Sequence, residues 1–204
     1  MNILAIGAHP DDIEFGCGGS LIKYKEKGDN VSLMVLTDGE LGGGGKIRRH
    51  EQEASLKILQ AKELFWGGYS DTKLLLDQKL ILNIENVLHK VKPDFIFVNY
   101  FDDTHQDHRN LAKATISATR YIKNVLFYEG PTTQNFSPNV FVDINEVLND
   151  KIDLLKAHES QIMKTNIEDL SILEIAKSSA NFRGIQGRVK YAEGFLSLRL
   201  FINV

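Results

Sequence analysis

Strand-length apolar runs alternate with helix-length amphipathic segments along this chain, and that alternation restricts its fold more than any other feature. Apolar runs read as strands at Asn2–Ala8, Asn30–Leu36, Glu63–Trp66, Pro93–Tyr100 and Asn124–Tyr128, with a sixth at Asn139–Ile144. Between them, apolar spacing predicts helices over Gly18–Lys27, Ile47–Ala61, Asp77–Lys90 and Asp107–Lys123. Helices also fit Ile144–Gln161 and Ile167–Ser179, ahead of a mixed stretch from Arg183 to Val204 with a short strand near its close. Parallel strands need helix-length crossovers. The pattern therefore predicts an α/β fold, a Rossmann-like three-layer sandwich with a mostly parallel central sheet. There is no internal repeat, linker or low-complexity stretch, so residues 1–204 read as one domain.

Composition narrows the partners. The net charge is −3 and no basic block is present, which argues against nucleic acid. One cysteine, Cys17, allows no intrachain disulfide and fits a reducing, cytoplasmic compartment. The first residues lack the charged and apolar regions of a signal peptide, and no apolar run is long enough for a membrane span.

Two polar clusters directly follow strands. The first is His9-Pro10-Asp11-Asp12-Ile13-Glu14; the second is Asp102-Asp103-Thr104-His105-Gln106-Asp107-His108. Ligands bind at the carboxyl ends of parallel strands, so the fold brings the two clusters to one edge of the sheet. Adjacent carboxylates repel unless a cation joins them. His9, Asp12 and His108 supply two imidazoles and one carboxylate, the donor set of a catalytic zinc with a position left for water. Asp11 can then serve as general base. His105 can stabilise an oxyanion or protonate a leaving amine, with Asp107 two residues on to hold its tautomer. That set describes metal-assisted hydrolysis of an amide or ester.

These residues resemble a known family. Ala8-His9-Pro10-Asp11-Asp12, with Glu14 and Gly18-Gly19, is similar to the first signature of the PIG-L/LmbE-like de-N-acetylases, and His105-Gln106-Asp107-His108 resembles their second. Arg48-x-x-Glu51, Ser160-Gln161 and Tyr191-Ala192-Glu193-Gly194-Phe195 are similar to further family features. The resemblance implies zinc-dependent removal of acetyl from an N-acetylglucosamine-type small molecule, with Fe2+ as a substitute metal and a homo-oligomer compatible with such an enzyme. It implies His9, Asp12 and His108 as metal ligands, Asp11 as base, His105 oriented by Asp107 as transition-state stabiliser, and Arg48 at the substrate. Gln60 stands where many members carry glycine.

Other readings fit less well. Gly16-Cys17-Gly18-Gly19 is not a dinucleotide fingerprint, because position 21 is Leu. A non-haem iron oxygenase also uses two histidines and a carboxylate, but such triads favour β-barrels. An amidase that removes a larger acyl group from an amino sugar stays open, because acyl-pocket size depends on loops. An anionic aglycone such as malate would call for several cations at the mouth, with Arg48, Arg49, Arg183 and Arg188 as candidates. Asp102 and Asp103 read as solvated loop acids, Glu14 as a structural acid, and His50, His89 and His158 as surface or packing residues. The glycine run Gly42–Gly45 fits either a loop over the site or a plain surface loop.

Overall fold

The computed structural model describes residues 1–202. The last two positions of the mixed C-terminal stretch lie outside the described residues. Strands β1 (Asn2–Gly7), β2 (Asn30–Thr37), β3 (Glu63–Tyr69), β4 (Phe95–Asn99) and β5 (Val125–Tyr128) run parallel. Strands β6 (Val140–Asp143) and β7 (Ala192–Arg199) complete the sheet in the order β3-β2-β1-β4-β5-β7-β6, with β7 antiparallel to both neighbours.

The central strands are buried on both faces, so their sequences are continuously apolar. The period of two divides them cleanly. Leu4, Ile6, Met34, Ile96 and Val98 point into one core with α3 (Gln78–Val91) and α4 (Gln106–Ala118). Ile3, Ala5, Val31, Leu33 and Phe97 point into the other, against α1 (Asp12–Glu26), the end of α2 (Gly45–Leu59) and α5 (Leu148–Lys156). α6 (Ile172–Gly187) packs beside α5 and under β6 and β7. No helix among the described residues is long and apolar enough to cross a membrane.

From β1 the chain moves outward to β2 and β3, then returns to lay β4 on the other side of β1. The strand order reverses between β1 and β4, and in open sheets that is where a crevice opens beyond the carboxyl ends. Both polar clusters sit there.

Several boundaries differ from the sequence reading. α1 begins at Asp12, not Gly18, so the first motif is the start of the helix itself. The glycines after it serve packing: a Cβ on Gly16 would fall 2.0 Å from the Tyr128 ring, and one on Gly19 would fall 2.9 Å from Ile144. The long helix expected over Ile144–Gln161 is broken into a 3-10 turn at Asn145–Val147, then α5, then a second 3-10 turn at Glu159–Gln161. α4 stops at Ala118 and α6 starts five residues later than expected, at Ile172, where Ser171 and Glu174 form a capping box. Gln60 closes α2 with φ 53°, a left-handed conformation that explains why glycine suits that position.

Candidate functional site

The β1–α1 turn carries the first cluster. Asp11 caps α1 at φ 89° and makes no capping bond with its side chain. A non-glycine residue held in that region is strained, which is a mark of constrained sites. The strain leaves the Asp11 carboxylate free of the helix and lining a cavity of about 560 Å³, together with His9, Asp12, Arg48, His105 and His108.

Three donors converge at its floor. His9 Nδ1 lies 3.2 Å from His108 Nε2. Asp12 Oδ2 lies 3.5 Å from the former and Asp12 Oδ1 lies 3.2 Å from the latter. Zinc bonded at about 2.0–2.1 Å spaces tetrahedral donors about 3.3–3.4 Å apart, close to each of these pairwise separations. The outer ring nitrogens also face carboxylates. His9 Nε2 bonds Asp107 Oδ2 at 3.2 Å and lies 3.0 Å from Asp71 Oδ1; His108 Nδ1 lies 3.1 Å from Asp103 Oδ2. Carboxylates behind ligating histidines fix tautomer and ring orientation, the usual support of a metal site.

The electrostatics agree. Burial alone would lower His9, but Asp107, Asp12 and Asp71 hold it well above the ordinary histidine range. Burial likewise opposes His108, yet Asp12 and Asp103 lift it to about 9. Against burial, His108 and His9 hold Asp12 well below the usual carboxylate range. The cluster thus draws positive charge onto its imidazoles, and a divalent cation would supply that charge while displacing protons. The donor atoms of His9, His105 and His108 also lie within 4.8 Å of one another, as do those of His9, Asp71 and Asp107.

His105 occupies the N-cap of α4, where its Nδ1 accepts the Asp107 backbone N–H at 3.2 Å. That bond leaves Nε2 to carry the ring proton in the neutral form. Burial, then the neighbouring His9 and His108, lowers its pKa and favours that form. The expected side-chain link from Asp107 to His105 is corrected here. The Asp107 carboxylate turns the other way, to His9, and accepts the N–H groups of Thr72 and Leu74 at 2.8 and 3.2 Å.

Burial raises the Asp11 pKa and Asp12 adds to the rise, while Arg48 opposes it. Arg48 is buried. Its Nη1 donates to Gly39 O at 2.9 Å, and Nη2 donates to Pro10 O at 2.6 Å and Asp11 Oδ2 at 3.3 Å. Gly39 is obligatory for this: its φ is +62°, and a Cβ would fall 2.0 Å from Arg48 Nη1. Glu51, one turn on, accepts both Ser160 N–H and Ser160 Oγ–H at 2.7 Å. That pairing brings Gln161 to the cavity wall and explains why the Arg-x-x-Glu and Ser-Gln motifs belong together. Glu14 stays structural, as expected, accepting Gln52 and Ser55 at 2.6 Å each. His158 is buried 3.5 Å from Glu14 and does not line the cavity.

Two acids escaped the sequence reading. Asp103, taken as a solvated loop acid, is 4% exposed and holds His108 while accepting Thr132 and Thr133 hydroxyls. Asp71, at His9, lies in a loop with no motif around it.

A histidine–carboxylate cluster at the switch point of an α/β sheet could hold a metal ion, and comparison with known proteins gives the chain a family. The PIG-L family, described as GlcNAc-PI de-N-acetylase, matches residues 4–119. An uncharacterized deacetylase of Escherichia coli K12, YaiS, is 37% identical over 78% of this chain and 90% of its own length. Diacetylchitobiose deacetylase of Thermococcus kodakarensis is 28% identical over 94% of this chain and 81% of its own. The crystal structure of the conserved protein TT1542 from Thermus thermophilus superposes with a TM-score of 0.89 at 25% identity, covering 100% of this chain and 97% of that one. The chain belongs to the PIG-L family.

Proposed function

We propose that this protein is a zinc-dependent N-deacetylase acting, as one domain over residues 1–204, on a small N-acetylglucosamine derivative. The observation that carries this is the close approach of His9, Asp12 and His108 beside the Asp11 carboxylate, all lining one cavity. GlcNAc in the family description and diacetylchitobiose in a relative's name support an N-acetylamino sugar as the substrate class. The single buried cysteine fits a reducing, cytoplasmic setting.

His9, Asp12 and His108 hold the metal; Fe2+ satisfies the same donors. Zinc bound there would supply Lewis acidity and lower the pKa of a bound water toward ~7. Asp11, its pKa raised by burial, takes a proton from the attacking water. His105 donates its Nε2 hydrogen to the carbonyl oxygen as negative charge develops. Asp11 then returns the proton to the departing nitrogen, the C–N bond breaks, and acetic acid and the amine leave, the acid's proton passing to the amine as they ionise to acetate and ammonium. Asp107, Asp71 and Asp103 orient the two ligating imidazoles. Arg48 steadies Asp11 and faces the substrate.

The test is amine release from free N-acetylglucosamine, chitobiose and simple N-acetylglucosaminides by zinc-loaded protein, with a chelated sample beside it. Zinc-dependent release is expected. Equal release with and without chelator would refute the metal role, and no release from any sugar would refute the substrate class.

A further inference from the structure

The cavity has two unlike walls. One holds the polar centre. The other carries an apolar strip beside Lys164, Thr165 and Asn166: Phe15 from α1, Ile167 and Leu170 from the segment before α6, and Ile172 and Ile175 from the first turn of α6. Phe15 follows Asp11 by four residues and Asp12 by three, so it stands on the same helix face as the carboxylates. Phe15 packs in one cluster with Leu155 and Ala176, onto which Ile172 and Ile175 also close. The wall is fixed in place: Ile172 N donates to Ile162 O at 2.8 Å, Thr165 Oγ donates to Leu170 O at 2.7 Å, and the capping box pins Ser171 to Glu174. Ile167 nonetheless leaves 59% of its surface open.

Of the cations that an anionic substituent would need, the four arginines are engaged elsewhere. Arg49 pairs with Asp38 at 2.9 Å and lies over the Trp66 ring. Arg183 is held by both oxygens of Glu129 at 2.6 Å. Arg188 is the C-cap of α6 and does not line the cavity. Arg48 serves Pro10, Gly39 and Asp11. Lys164 is left as the cation of the lining that makes no ion pair among the described residues.

We infer that the amino-sugar substrate carries an apolar alkyl or aryl group, which lies along Phe15, Ile167, Leu170, Ile172 and Ile175. This rests on the N-deacetylase reading and specifies its substrate. The group arrives either as the aglycone or as the N-acyl chain. The chemistry is the same in both: water adds to the amide carbon, its proton passes to the nitrogen, the C–N bond breaks, and a carboxylate and an ammonium form.

The experiment compares kcat/KM for amine release by the zinc-loaded enzyme across four substrates: the methyl, hexyl and carboxymethyl glycosides of N-acetylglucosamine, and the methyl glycoside of N-hexanoylglucosamine. Burying only a few methylenes raises kcat/KM about tenfold, so a preference of that size or more is expected for one hexyl-bearing arm. The favoured arm names the source of the chain. In Ile167→Asp and Leu170→Asp the ratio of the favoured substrate to its short-chain counterpart should fall to about one. Calorimetric titration of hexyl against methyl glucosaminide reads the same preference without turnover. Release without chain-length preference, or preference for the carboxymethyl glycoside, overturns the inference and leaves the deacetylase reading standing. No release from any arm removes both.

Discussion

Asp71 Oδ1 lies 3.0 Å from Nε2 of His9, on the opposite side of the imidazole from the nitrogen that faces His108. Its other oxygen accepts the Leu41 N–H at 3.1 Å, and its own N–H donates to Glu40. The loop after β2 is thereby tied to His9. Removing a carboxylate behind a ligating histidine costs about 10–100-fold in metal affinity. Asp71→Ala should show that loss in a chelator competition. Unchanged affinity would mean that Asp107 alone orients His9.

Asp11 and Asp12 are adjacent but should fail differently. Asp11→Asn should retain zinc and lose turnover by roughly 10²–10⁴-fold, the range for a general base. Asp12→Ala and His108→Ala should lose metal and turnover together. Metal analysis beside a rate assay separates the cases. A near-normal rate in Asp11→Asn, or full metal in Asp12→Ala, would break the assignment concerned.

Gly39 and Gly28 both adopt left-handed backbone, but only Gly39 has a neighbour in its way. Gly28→Ala should cost about 1–2 kcal/mol for the backbone conformation. Gly39→Ala adds a clash with the Arg48 guanidinium, worth about 1–3 kcal/mol more, and should also slow turnover by displacing Arg48 from Asp11. Thermal melts of the two variants with matched rate assays check this. Equal melting shifts and equal rates would show that Arg48 moves aside freely.

Lys151 and Glu193 form a buried ion pair, 3% and 4% exposed. Lys151→Met strands the Glu193 charge and should destabilise by about 3–5 kcal/mol. Adding Glu193→Gln should recover part of that, because the unpaired charge is gone. Denaturant melts of the single and double variants measure the difference. A double variant at least as unstable as the sum of the singles would contradict this pairing.

The parallel core was legible because β1, β2, β4 and β5 are buried on both faces and carry unbroken apolar runs. The first and second motifs were legible because each directly follows such a strand. α1 was misplaced because Gly16, Gly18 and Gly19 look like a turn, whereas Gly16 and Gly19 make room for Tyr128 and Ile144. The side-chain partner of Asp107 could not be read from spacing: two residues from His105 in sequence, it turns to His9, 98 residues away. Asp71 and Asp103 gave no signal because a loop acid shows its burial only once the sheet has brought its histidine beside it. β7 could not be ordered from sequence, since nothing in Ala192–Arg199 states that it enters between β5 and β6.

Glu193 also receives the N–H groups of Gly19 and Ser20, 174 and 173 residues away, while Lys151 bonds the Phe15 carbonyl. The helix that presents Asp12 is therefore braced by a strand synthesised long after it. During translation the first motif emerges well before the clamp that seats it. The bracing of α1 is complete only once β7 has joined the sheet.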